Sequence, residues 1–261
     1  QEDSRSVGSL ITMKLNLRSF LFILLTLIIC RASQAQVVIH PLGTNPVLQK
    51  AAQERKMNPA LARISTFTDT LTLPFEDDFS RPGIYPSDSL WVDSNVFINT
   101  SFSDNPVTIG VATFDGLNQN GVPYNYLAVR DTVSDLLTSR PIDLGQLLGD
   151  TTIWLSFFYQ PQGLGDQPES ADSLVLQFRD TAGNWNNMWA VAGRSDTVFQ
   201  RANIRVSDTI YQYKGFQFRF FNYATVNGNR DHWHLDYVTL RRFTVANDSI
   251  LDNAKILPVN S

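Results

Sequence analysis

The feature that most constrains the fold is a set of short apolar runs that alternate with polar residues and end at turn-forming residues. In the run over residues 213–224, Phe216, Phe218 and Phe220 alternate with a glutamine and an arginine. Because successive side chains of a β-strand point to opposite faces, this alternation puts three rings on one face and polar groups on the other. The pattern predicts strands with one buried and one solvated face.

The same texture continues through most of the chain after Pro74. Each run begins and ends at residues that are typical of turns between strands, namely Asp, Asn, Gly, Pro and Ser. No helical pattern separates the runs, so parallel βαβ units are disfavoured and antiparallel pairing is expected. The sequence therefore predicts an all-β, antiparallel β-sandwich. Its other clear runs are residues 151–160, 172–180, 188–193 and 199–206.

The N-terminal part of the chain has a different character. Met13 opens a basic segment, an apolar run of eleven residues follows over 20–30, and Ser33-Gln34-Ala35 supplies small residues for signal peptidase. We interpret residues 1–35 as a non-native leader plus a secretory signal peptide, cut before Gln36. The apolar run is shorter than the about 20 residues that a membrane-spanning helix needs, so no transmembrane segment is expected after cleavage.

Three further segments complete the predicted organisation. Residues 36–73 are expected to form an N-terminal extension, in which the sequence VLQKAAQERKM (47–57) is a good helical window. Residues 74–243 are assigned to the sandwich. Residues 244–261 show no further strand pair, and we expect them to be a truncated linker.

Composition excludes several classes of function. The chain has a net charge of −4, and residues 1–35 carry four basic and two acidic side chains, so their removal makes the charge more negative. Nucleic-acid binding is not expected without a basic surface. The single cysteine, Cys30, lies in the predicted signal peptide, which excludes thiolate metal sites and cysteine nucleophiles from the mature chain. The expected location is extracytoplasmic, either secreted or on the outer cell surface.

Four segments together resemble a known fold. FEDDFS (75–80), LLTSRPIDLG (136–145), TIWLSFFYQ (152–160) and HWHLDYVTL (232–240) look, in this order, like the jelly-roll sandwich of MAM-type domains and carbohydrate-binding modules. The resemblance implies a jelly-roll topology for the sandwich, which follows the short N-terminal helical extension.

Two other segments, GVATFDGLNQNGVPY (110–124) and GFQFRFFNYA (215–224), are similar to N-terminal modules of large cell-surface proteins. Bacteroidota export such proteins through the type IX secretion system. The resemblance implies an adhesion, scaffold or recognition role on a bacterial cell surface, with a glycan or a cell-surface protein as partner.

The last predicted strand carries two histidines and an aspartate at alternate positions. His232, His234 and Asp236 share one face of a regular strand, and two imidazoles at this spacing suit zinc. A regular strand, however, would turn Val238 and Leu240 away from the core. A bulge near Asp236 would let the apolar residues on both sides of it point inward, and this favours a solvated or hydrogen-bonded histidine pair.

The acidic opening of the first strand suggests a different metal. Modules of the resembled kind often hold a structural calcium where the first strand meets the last. If those strands pair here, Asp77 and Asp78 face Asp236, and their oxygens suit calcium, which takes six to eight oxygen ligands. The alternative is that these residues are edge acids and turn caps.

Aromatic residues beside turn-like segments are candidates for ligand binding. Trp185 lies between two asparagines, and Tyr124 and Tyr126 follow a Gly-Val-Pro turn. An exposed ring in such a position stacks on a sugar or contacts a protein partner. We expect Trp189, within an apolar run, to be core instead.

No catalytic residues are predicted. After the signal peptide only Glu54, Glu76 and Glu169 remain as glutamates, and the Glu-x-Asp-x-x-Glu pattern of sandwich glycosidases is absent. The nucleophile elbow, the zinc-protease helix motif and the phosphate loop are absent as well. The sequence therefore predicts a non-catalytic surface module, or alternatively a carbohydrate-binding module of a secreted polysaccharide-degrading enzyme.

Overall fold

The computed structural model describes residues 43–58 and 70–243; the predicted signal peptide and C-terminal linker lie outside these ranges. Helix α1 (Pro46–Met57) matches the predicted helical window. The side chain of Asn45 caps it by accepting hydrogen bonds from the backbone N–H groups of Val47 and Leu48. Within the described ranges, no helix has the length and apolar character needed to cross a membrane.

Twelve strands follow in the described part of the chain, and they include all the apolar runs named above. Their bounds are β1 (Phe75–Asp77), β2 (Phe97–Asn99), β3 (Val111–Phe114), β4 (Thr132–Thr138), β5 (Ile142–Asp143), β6 (Ile153–Pro161), β7 (Ser173–Arg179), β8 (Trp185–Ala192), β9 (Gln200–Arg205), β10 (Lys214–Phe216), β11 (Phe218–Ala224) and β12 (Trp233–Arg242).

The strands form two main sheets. The six-stranded sheet has the order β2-β3-β12-β6-β9, and β1 also pairs with β12. The four-stranded sheet has the order β4-β11-β7-β8, and β10 and β5 form a small pair of their own. Every strand pair is antiparallel, which confirms the predicted all-β antiparallel class.

The core lies between the two sheets and is rich in aromatic rings. Phe216, Phe218 and Phe220 are fully buried, as their alternation predicts. From the opposite sheet, the ring of Phe157 packs edge-on against Phe220, with centroids 4.8 Å apart, and against Trp189 at 5.1 Å. Such edge-to-face pairs add about 0.5–1.5 kcal/mol each beyond the area they bury.

A bulge in β12 positions the acidic and imidazole side chains of this strand. The pairing register with β6 shifts between Asp236 and Thr239, and Tyr237 adopts a left-handed backbone with φ +47°. Val238 and Leu240 thereby join Trp233 and Leu235 in the core, and this confirms the predicted bulge.

Candidate functional site

The outer face of the four-stranded sheet carries a band of polar side chains around one tryptophan. Arg219 lies between two buried phenylalanines of β11, so its side chain points away from the core. Gln177 pairs with Arg219 across the strands, and Asn187 pairs with Gln177 on β8. Trp185 occupies the same edge strand and pairs with Arg179. We call these five residues the Trp185 face.

Hydrogen bonds and cation–π contacts hold the Trp185 face in place. Arg219 Nε donates to Gln177 Oε1 at 2.7 Å, and Gln177 Nε2 donates to Asn187 Oδ1 at 2.7 Å. The Arg219 guanidinium lies 4.2 Å from the centroid of the Trp185 ring, and that of Arg179 lies 6.0 Å from it. The half-buried ring is therefore flanked by two fixed cations.

The other end of the same sheet face is apolar. Phe221 pairs with Leu136 on one side and Val175 on the other, and Tyr223 pairs with Val133. Tyr223 and Val133 remain 40% and 48% exposed. The face thus offers hydrogen-bonding and cationic groups at one end and an apolar surface at the other.

The two predicted tyrosines lie elsewhere. The Tyr124 hydroxyl donates to Asp135 Oδ1 at 2.8 Å and accepts from Asn95 Nδ2 at 2.9 Å, and burial raises the pKa of Tyr124. Tyr126 is 64% exposed. Because Asp135 is on β4 and Trp185 is on β8, the opposite edges of the sheet, the structure does not bring the three predicted aromatic residues together.

The histidine pair is buried and fully hydrogen-bonded. His232 Nε2 lies 2.6 Å from Asn229 Oδ1, and its Nδ1 accepts from the backbone N–H of Asp166. His234 Nδ1 lies 2.9 Å from Thr113 Oγ1, and its Nε2 lies 3.1 Å from a backbone carbonyl. All four ring nitrogens therefore have partners, and the hydrogen-bonded arrangement, rather than the solvated one, is confirmed.

Burial also keeps both imidazoles neutral. It lowers the pKa of His232 to about 3 and that of His234 to about 4, because a charged ring would lose its hydration without gaining an anionic partner. Buried rings with both nitrogens bonded act as structural polar groups.

The first and last strands pair, as the resemblance implies, with Asp77 opposite Val238. The three predicted calcium ligands nevertheless have different environments. Asp77 accepts from Trp91 Nε1 at 2.6 Å and from the backbone N–H of Phe79, and burial raises the pKa of Asp77. The Asp78 carboxylate accepts from the backbone and hydroxyl of Ser80.

Asp236 lies at a cluster of oxygen atoms beside the strand pair. The Thr108 hydroxyl oxygen lies 2.6 Å from Asp236 Oδ1, 2.8 Å from the carbonyl of Asp78 and 3.4 Å from that of Gly110. A hydroxyl has one hydrogen and satisfies only one of these acceptors fully. Burial raises the pKa of Asp236 to about 6. We call this group the strand junction.

The structure adds a buried carboxyl pair that the sequence did not suggest. Asp135 Oδ2 accepts from the backbone N–H groups of Asp115 and Gly116, at 2.8 and 3.0 Å. Asp135 and Asp115 are both fully buried; desolvation raises the pKa of Asp135 to about 7 and that of Asp115 well above its ordinary value. In the sequence each of these residues looks like an ordinary turn aspartate.

Comparisons with known proteins find only distant structural similarity. The sequence matches no family model and no curated protein. Among solved structures, the K1 cleaved adhesin domain of Lys-gingipain from Porphyromonas gingivalis is similar over 65% of this chain and 98% of its own, at 10% identity and a TM-score of 0.39.

Two carbohydrate-binding modules are similar to about the same degree. The Caldicellulosiruptor saccharolyticus CBM27-1, solved with mannohexaose, matches 64% of this chain and 96% of its own, at 15% identity and a TM-score of 0.39. The CBM22-1 xylan-binding domain of Paenibacillus barcinonensis Xyn10C matches 68% and 99%, at 10% identity and a TM-score of 0.37. These TM-scores are low, so the assignment to the antiparallel sandwich class rests on the strand pairing of this chain.

Proposed function

We propose that this protein is a non-catalytic β-sandwich that recognises its ligand through the outer face of the four-stranded sheet. The observation that carries the proposal is the Trp185 face, where an aromatic ring lies within 6.0 Å of two guanidinium groups and close to two side-chain amides. Tryptophan and arginine dominate the energetics of many recognition surfaces. The leading interpretation is an adhesion, scaffold or recognition module of a bacterial cell-surface protein.

A carbohydrate-binding module is the alternative, and the chemistry of the same face supports it. The apolar face of a sugar ring stacks on an indole, while guanidinium and amide groups bond its hydroxyls. The apolar end of the face, with Phe221, Tyr223 and Val133, favours a protein partner, because contiguous exposed apolar surface marks protein interfaces.

Two surface cavities within the described ranges share no lining residue with the Trp185 face. One, of about 480 Å³, lies against α1, and the other, of about 230 Å³, lies beside Phe79. The titratable side chain that lines the first cavity is Lys56, and the one that lines the second is Arg81.

Binding of the purified protein to cells of its own host and to a glycan array tests the proposal. Trp185→Ala and Arg219→Ala should each weaken binding about tenfold or more, a loss of roughly 1.4 kcal/mol or more, because each removes half of the stacked pair. Trp154→Ala is the matched control, since the six-stranded sheet presents Trp154 outward under Arg205 at 4.5 Å.

The outcomes separate the two interpretations. Cell binding with a blank glycan array supports the adhesion module, and array binding that Trp185→Ala abolishes supports the carbohydrate-binding module. Equal losses for the Trp154 and Trp185 variants would contradict a role for the Trp185 face in either.

We further propose that the protein is exported to the cell surface, of the type IX secretion kind found in Bacteroidota. The support is the leader sequence and the resemblance of residues 110–124 and 215–224 to modules of such proteins. The mature N-terminus should be Gln36, which intact-mass analysis of secreted material measures directly; a mass that includes residues 20–30 would contradict it.

We also propose a structural calcium at the strand junction. Asp236 offers its carboxylate and Asp78 its backbone carbonyl, both beside the Thr108 hydroxyl. Asp236 Oδ2 also accepts from the backbone N–H of Thr108 at 2.8 Å, so the ion would share the carboxylate with this donor while its other contacts would be oxygen atoms, as a hard cation prefers. Asp77, whose carboxylate is bonded to Trp91, would support the strand rather than contact the ion.

A further inference from the structure

Three carboxylates converge where the loop between β6 and β7 meets the segment before β12. Glu169 and Asp172 belong to the loop, and Asp231 precedes β12 with a left-handed backbone of φ +55°. One carboxylate oxygen of each residue lies within 4.8 Å of the other two. Among the described residues, these three are the one group of acidic or metal-ligating side chains that converges so closely. We call them the loop cluster.

One oxygen in the loop cluster is buried without any hydrogen-bond donor. Asp172 is 1% exposed, and its Oδ2 accepts from the backbone N–H of Glu169 at 2.6 Å. Its Oδ1 has no hydrogen-bond partner. A buried carboxylate oxygen that lacks a donor has lost its hydration without replacement, which is costly unless a cation contacts it.

The surroundings act unequally on the three carboxyl groups: in spite of partial burial, hydrogen bonds and the nearby Arg230 lower the pKa of Glu169, whereas the pKa values of Asp172 and Asp231 are raised. Burial, together with the neighbouring Glu169 carboxylate, raises the pKa of Asp172 to about 8 and that of Asp231 to about 7. Asp131 adds a further negative charge nearby and accepts from the Thr225 hydroxyl at 2.9 Å. Without a cation, protons must separate these carboxylates.

We propose that Glu169, Asp172 and Asp231 bind a divalent cation, with calcium as the preferred ion. The donor set is entirely oxygen and anionic, which suits a hard cation and disfavours zinc or copper, whose sites use nitrogen and sulfur. Two of the ligands come from one loop and the third from a segment distant in sequence. The ion therefore fastens the β6–β7 loop to the start of the central strand β12.

This site shares no residue with the strand junction. At the junction the proposed ligands are one carboxylate and a backbone carbonyl, whereas the loop cluster supplies three carboxylates. The loop cluster is accordingly the stronger of the two calcium sites, because affinity grows with the number of charged ligands. Its occupancy does not depend on what the Trp185 face recognises.

Calorimetric titration of the chelator-stripped protein with calcium chloride tests the site. Asp172→Asn and Glu169→Gln should each weaken the tighter binding event at least tenfold, since each removes one anionic ligand. Asp172→Asn keeps an oxygen for the N–H of Glu169, and the Glu169 side chain is exposed, so both variants should fold. Circular dichroism checks that they do.

Two controls make the result specific. Asp166→Asn removes an acid of the same loop that lies outside the cluster, and it should leave the tighter event unchanged. Asp236→Asn alters the strand junction alone and should also spare that event. If Asp172→Asn and Glu169→Gln bind calcium as tightly as Asp166→Asn does, or if the wild-type protein binds none, the proposal is overturned.

Discussion

The strand junction and the loop cluster are both acidic, but they place their carboxylates differently. Beside the junction, Asp77 and Asp78 lie next to each other in the chain, and each carboxylate accepts hydrogen bonds from its own set of donors. In the loop cluster, Glu169, Asp172 and Asp231 point at one another, and one oxygen of Asp172 has no donor.

The difference shows that acidic residues adjacent in sequence are a poor guide to a cation site. Neighbouring aspartates at the end of a strand point to opposite faces and cap the turn that follows. Carboxylates that converge come from segments joined by tertiary contacts, such as a loop and the start of a distant strand. A buried carboxylate oxygen without a hydrogen-bond donor identifies a cation site better than a high density of negative charge does.

The buried carboxyl pair of Asp135 and Asp115 extends this comparison. It should give the largest effect on the free energy of unfolding. Asp135 has donors for both oxygens, like Asp77, yet it lies beside the carboxyl of Asp115. Its folded-state pKa of about 7 lies above its ordinary value of 3.8, so between these values the folded protein holds a proton that the unfolded chain has released. The free energy of unfolding therefore falls as pH rises through this window, by about 1.4 kcal/mol per unit for this group.

Asp135→Asn should remove that slope. The amide oxygen still accepts from the two backbone N–H groups, and the side chain no longer ionises. Urea unfolding of both proteins from pH 4 to pH 8 should show that the variant becomes more stable relative to the wild type as pH rises. The difference in free energy of unfolding should grow by up to about 4 kcal/mol and stay constant above pH 7. A difference independent of pH would show that Asp135 ionises as easily in the folded protein as in the unfolded chain.

Calcium should give the next largest effect. A ligand that binds only the folded state adds about 2.7 kcal/mol at a free concentration a hundredfold above its Kd. Thermal unfolding in calcium and in chelator should show a rise of Tm in calcium that Asp172→Asn and Asp236→Asn each reduce in part. A rise that persists in full in Asp236→Asn would leave Asp236 as a hydrogen-bonded acid and remove calcium from the junction.

The smallest effect separates Asp77, the last residue of β1, from Asp78, which follows it. Asp77→Ala leaves the indole N–H of Trp91, which is 1% exposed, without its acceptor and should cost roughly 1–3 kcal/mol. Asp78→Ala removes only local contacts with Ser80 and should cost about 0.5 kcal/mol. Denaturant unfolding in chelator measures both, and equal losses would contradict the different roles assigned to the two residues.

Much of the fold is predictable from local pattern, because strand alternation and turn residues act over a few positions. The bulge at Asp236 is predictable for the same reason: the apolar residues on both sides of it need one buried face. The pairing of β1 with β12 was expected only from the resemblance to jelly-roll modules, and the structure confirms it.

The sites are less predictable, because they depend on register and on loop conformation. The contact of Arg219 with Trp185 requires the pairing of three strands and a register shift between Leu176 and Gln177. The loop cluster requires the β6–β7 loop to fold back towards Asp231. Neither requirement produces a short motif in the sequence. The segment around Glu169 and Asp172 has the composition of an ordinary loop.

The position of β12 bears on the export proposed above. This strand, at residues 233–242, pairs with β6 on one edge and with β3 and β1 on the other. Its partners are made before it during synthesis, so the larger sheet lacks its middle strand until residues 233–242 have left the ribosome. Such late closure of long-range pairings slows folding. A slow-folding chain stays unfolded for longer, and the unfolded state is the one that a protein-conducting channel accepts.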